Sequence, residues 1–148
     1  MTLKLTSQHF DISTVEIKKL EINTDLKDAW IAFHNNSVAS YRHLLLRFTN
    51  LNNEVKYLIL NNAFMTNIND EVEIRYIGKI RVFVQNPKLK LQEQEKELAE
   101  LKSKIKLLDA YYELNLNSLD LIKKYKLQDQ LYDLQAITNF SLEEQDEL

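Results

Sequence analysis

The side chains that could serve acid–base or metal chemistry in this 148-residue sequence are three histidines, two runs of carboxylates and a set of tyrosines. A metal pair on a helix needs ligands three or four residues apart, and His9, His34 and His43 are spaced too widely for that. His34 follows the apolar Trp30 and Phe33, and His43 lies between Tyr41 and Leu44, so both read as residues at the edge of a core. Glu93, Glu95, Glu97 and Glu100 fall on the solvated face of a predicted helix, and Glu143, Glu144, Asp146 and Glu147 in a terminal tail. A general acid or base needs a shielded pocket to move its pKa, and neither run implies one. Tyr111, Tyr112, Tyr125 and Tyr132 could line a groove, but helix packing accounts for them. With no cysteine, thiol nucleophiles, disulfides and cysteine zinc sites are excluded. A single glycine, Gly78, excludes a glycine-rich phosphate loop. The residues therefore predict no catalytic site, no cofactor or metal, and no small-molecule substrate.

Two basic sets could touch nucleic acid. Residues 6–20 have the apolar spacing of a degenerate helix-turn-helix, with Phe10, Ile12, Ile17 and Leu20 as buried positions. Ser13 would cap its second helix, leaving Lys18 and Lys19 towards a groove. Against this, Ser7 replaces the usual small apolar residue, Asp11 the turn glycine, and Glu16 and Glu21 offset the lysines. The second set is Arg75, Lys79 and Arg81 on a predicted β-ribbon, which alternating charge explains equally well as a solvated strand face. The net charge of −3 does not favour a generally cationic binder.

The most regular pattern begins at Lys88. Leu91, Leu98, Ile105 and Tyr112 take position a of a heptad, and Gln94, Leu101, Leu108 and Asn115 position d. In a parallel pair, Lys90 would meet Glu95, Glu97 would meet Lys102, and Lys104 would meet Asp109 in the partner, all opposite in sign. Such exposed pairs are worth only ~0.2–1 kcal/mol each and act on orientation more than on stability. This predicts a parallel homodimer, or docking on another protein. The competing reading folds the same stripe back on helices of its own chain.

The elements that would carry these residues follow from composition and period. One glycine and one proline, where roughly ten and seven are usual, permit long helices. Asparagine takes over turn duty at Asn35-Asn36, Asn52-Asn53, Asn61-Asn62, Asn67 and Asn69. Residues 1–23 fit either strands or short helices. From Leu26 to Leu58 an apolar stripe of period 3.6 predicts two or three helices between 25 and 65, with Thr24 as an N-cap. Residues 71–85 alternate and predict a β-hairpin turning at Gly78.

The expected fold is therefore mainly α with a small antiparallel β element: a helical bundle plus a long C-terminal coiled-coil-like helix. Residues 1–87 form the helical domain, 88–136 the amphipathic segment and 137–148 a flexible acidic tail. The expected function is non-enzymatic protein–protein association as scaffold, adaptor or assembly subunit. A dimeric DNA-binding regulator and a protein inhibitor are the alternatives. No apolar run is long enough to span a bilayer and no signal peptide is visible, which predicts a cytoplasmic protein.

Overall fold

The computed structural model describes residues 1–112 and 118–148. Strands dominate it, which overturns the mainly α expectation. They are β1 (Thr2–Ser7), β2 (Ile12–Asn23), β3 (Ile31–Ala32), β4 (Ser37–Asn50), β5 (Val55–Ile68), β6 (Glu71–Gln85) and β7 (Leu142–Gln145). Two helices, α1 (Gln92–Tyr112) and α2 (Ser118–Phe140), lie between β6 and β7. Consecutive strands β1, β2, β4, β5 and β6 pair antiparallel, and β6 then pairs with β1, closing a barrel. An up-and-down ring of five strands has an odd count, so its closing pair must be parallel, as β1–β6 is. β3 adds to β2 and β7 to β6.

The stripe between 25 and 65 becomes β4 and β5 because these strands are buried on both faces. Leu44, Leu46 and Phe48 point into the barrel with Leu58, Leu60 and Met65. Their neighbours Leu45, Tyr57 and Ile59 point out, into a second core with Phe83, Ala136, Ile137 and Phe140. A strand buried on both sides loses the polar alternation that marks a half-buried one. Its continuous apolar run then fits a helical stripe equally well. Thr24 caps no helix. Asn23 instead accepts the Leu26 N–H at 2.7 Å, turning the chain away from β2.

Three more expectations are corrected. Residues 6–20 are the end of β1, a tight turn and β2, so there is no helix-turn-helix and Ser13 is a strand residue. Residues 71–85 are one strand rather than a hairpin. The true β5–β6 turn is Asn69-Asp70, two residues at φ 54° and 58°, a combination that suits a tight hairpin. Third, residues expected to form a flexible tail extend α2 to Phe140, turn at Ser141 (φ 51°) and form β7.

Gly78 marks a bulge. Between the pairs Ile77–Asn61 and Arg81–Ile59, β6 advances four residues while β5 moves two. Between Asn61 and Phe64, β5 has its own extra residue, with Asn62 at φ 50°. Paired bulges bend both strands sharply and let one sheet serve two cores. A Cβ on Gly78 would meet nothing within 4 Å, so φ of 91° rather than crowding demands glycine. Gly78→Ala is therefore expected to destabilise the fold by about 1 kcal/mol, and Gly78→Asn by less. Urea denaturation of the two variants checks the order.

Candidate interaction surface

The polar side chains nearest to chemistry all act as clamps holding α2, β7 and the loop after β2 onto the sheet. His43 Nε2 lies 2.5 Å from Asp129 Oδ1 on α2, and the ring stacks on Tyr132 at 4.7 Å. Beside it the Arg42 guanidinium covers the Tyr125 ring at 4.3 Å. Arg81 of β6 binds both oxygens of Glu144 on β7 at 3.1 Å and reaches Asp133 on α2 at 3.4 Å. Arg47 stacks 4.2 Å from the Trp30 ring and donates to Glu21 at 3.0 Å. Trp30 in turn meets Tyr57 and Phe140 edge-on.

The electrostatics of these clamps follow from their surroundings. Burial alone would raise Glu21, but bonds from Arg47 and Lys19 outweigh it and leave its pKa lowered. Hydrogen bonding from Arg81 lowers that of Glu144 against a smaller opposing effect of burial. Asp133 goes the other way. Its burial raises the pKa more than Arg81 lowers it, and its Oδ1 finds no hydrogen-bond partner among the described residues. A hollow of about 540 Å³ lies beside Arg47, whose Nε holds Glu21 and whose guanidinium is stacked on Trp30.

The basic candidates are drawn into the same bonds. Lys18 donates to Asn53, Lys19 pairs with Glu21, and Arg81 holds the two carboxylates above. Arg75 and Lys79 remain exposed on β6. His9 sits exposed in the β1–β2 turn and His34 is exposed before β4.

The heptad positions of α1 turn inward within the chain. Leu101 is buried and Leu91, Gln94, Leu98, Ile105 and Leu108 are half-buried, while Lys90, Glu95, Glu97, Lys102, Lys104 and Asp109 are exposed. Asp109, expected to pair with Lys104 of a second chain, is met by Lys124 of α2 at 2.5 Å. α2 runs back along α1 and occupies the seam, so the two form a helical hairpin rather than half of a coiled coil. The side chain of Tyr112 and the whole of Asn115 lie outside the described residues.

The barrel wall away from the helices is the part left uncovered. The register aligns Ile12, Thr6, Arg75 and Phe64 across four adjacent strands. Cross-strand partners share a face, so these four stand side by side on the outer surface. Ile77, two residues beyond Arg75, and Phe10 complete a cleft of about 290 Å³ with Thr6, Arg75 and Phe64. Phe10 is 80% exposed at φ 64°, and its turn is fully specified. Its N–H bonds the Ser7 carbonyl, and Ser7 Oγ accepts the N–H groups of His9 and Asp11. Thr6 is only 7% exposed, yet its Oγ1 has no hydrogen-bond partner among the described residues. Sequence reasoning reached Arg75 but missed the rest, because exposed Phe10 and Phe64 look like core residues without the register.

All of these cleft residues lie within residues 1–81, which match the family model described as UU051 N-terminal domain. The chain belongs to that family. The UU051 N-terminal domain thus comprises β1 through β5 and β6 as far as Arg81, nearly the whole barrel ring, and stops short of the helical hairpin and β7. Among curated proteins, none matches the chain.

The clamps beyond the UU051 domain make a test in pH. Glu144 has a pKa below its ordinary 4.5 in the folded state, so its stabilisation is present above 4.5 and is lost as pH falls through the lowered value. Both it and Arg81 are partly exposed, which limits the pair to roughly 0.5–1 kcal/mol. Glu144→Gln is expected to reduce stability at neutral pH by that amount and so to lower Tm, with the difference from the parent protein shrinking as pH falls from 4.5 and gone below the lowered pKa of Glu144. Thermal melts across pH measure it.

Proposed function

We propose that this protein is a non-enzymatic association module, an assembly subunit that holds a partner protein against the uncovered wall of its barrel. The observation that carries this reading is Phe10. A left-handed backbone costs a non-glycine residue about 1–2 kcal/mol, and a folded chain gains nothing internally by spending it on an aromatic ring in water. Strain of this kind is usually maintained by use. Around Phe10, the exposed Ile12, Phe64 and Ile77 extend the apolar surface across several strands.

A second apolar surface supports the same class. On the distal part of the helical hairpin, Leu107 is 73% exposed, and Tyr111 near the end of α1 and Ile122 near the start of α2 are exposed. These are the outward positions of the helices whose inward positions hold the hairpin together. On this reading the helices contribute through their outer face, the heptad seam being occupied within the chain. Among the described residues no helix is long and apolar enough to cross a membrane. The cytoplasm is the compartment this reading assumes.

The test separates binding from stability. Phe10→Gly relieves the backbone strain and is expected to raise stability by about 0.5–1 kcal/mol, after the entropy cost of glycine is deducted. It should also reduce co-purification of the partner from cells that express the protein natively. Phe64→Glu, on an exposed site, should abolish that co-purification and leave the melting profile unchanged. Recovery of the same partners at undiminished yield by both variants would sink the proposal.

A further inference from the structure

We infer that the cleft between Phe10 and Phe64 takes a large apolar side chain from a partner segment that carries a carboxylate one or two residues away. This rests on the association reading above and names the chemistry of the partner.

Two observations specify the occupant. The walls are apolar, with Phe10, Phe64 and Ile77 around a volume of about 290 Å³, which suits one large side chain rather than a helix face. Arg75 stands at the rim in the same cross-strand row. Its Nε is bound by Glu73 at 3.1 Å, and its Nη groups have no bond among the described residues. A guanidinium with free Nη groups offers paired donors that match a carboxylate. Lys79 adds an exposed positive charge just past Gly78.

Charge around the cleft also fixes direction and excludes a competitor. Asp11, held in the turn through Ser7, repels a carboxylate at the Tyr76 end and favours its placement towards Arg75. Glu71 and Glu73 share the outer face of β6 with Arg75. A phosphate backbone running along this strand would meet both carboxylates, whereas a protein segment needs to place only one charge.

The experiment uses the isotope-labelled full chain and four short peptides. One has a central phenylalanine flanked by aspartates, two replace the aspartates by asparagines or lysines, and one replaces the phenylalanine by alanine. A short single-stranded DNA is the fifth probe. The acidic phenylalanine peptide should shift the amide signals of Thr6, Arg75 and Ile77 and bind about fivefold more tightly than the asparagine peptide. The alanine peptide should leave those signals in place. Arg75→Gln should bring the acidic peptide down to the affinity of the asparagine peptide.

Equal or tighter binding of the lysine peptide, binding by the DNA alone, or silence towards all peptides would overturn the inference. If the peptides are silent while Phe64→Glu still abolishes partner recovery, the specificity falls and the association reading stands. If partner recovery is also indifferent to Phe64, both fall.

Discussion

Burial of one curved sheet on both faces is the constraint on which the rest of this structure depends. Strands β4, β5 and β6 must send alternate side chains into the barrel and into the layer under α2. Leu44-Leu45-Leu46 and Tyr57-Leu58-Ile59-Leu60 are therefore unbroken apolar runs. Such strands cannot be left bare on the outer side, because Leu45, Tyr57, Ile59 and Phe83 would then face water at roughly 25 cal/mol for each Å² exposed. The helical hairpin is in this sense required by the sheet. β7 completes the cover by carrying Leu142 into the same layer.

Polar chemistry in this molecule is subordinate to that packing. His43, Arg47, Arg81, Asp129 and Glu144 resemble catalytic groups by type, but each is engaged across an element boundary. They orient α2 and β7 on the sheet, where apolar contact alone would permit sliding. Their geometry explains why the basic residues on the strands do not form a free cationic stripe.

The wall that lacks this cover is the one on which we place the partner. The ring of strands closes through β1 and β6, and closure brings Thr6 beside Arg75 and Phe64 although they are far apart in sequence. On that wall Phe10, Ile12, Phe64 and Ile77 are exposed beside the charged Arg75, and the backbone at Phe10 is held in a costly conformation. Exposed aromatic rings and a strained backbone both cost stability in a protein that works alone, and they are the features our proposal assigns to a partner.

The sequence by itself determined the local facts. It excluded thiol and glycine-loop chemistry by composition, and it marked Asn36, Asn53, Asn62 and Asn69 as punctuation, all at positive φ. It also assigned α1 a one-sided apolar stripe, because the period of an exposed helix is written in its residues. Only the tertiary structure decided what that stripe meets, since an a/d face fits a helix of the same chain as well as one of another. It likewise decided that 37–50 and 55–68 are strands, because a run buried on both faces carries no period of its own. The cleft was least legible of all. Its residues come from three strands and a turn, and only barrel closure and the register at Thr6, Arg75 and Phe64 make them neighbours.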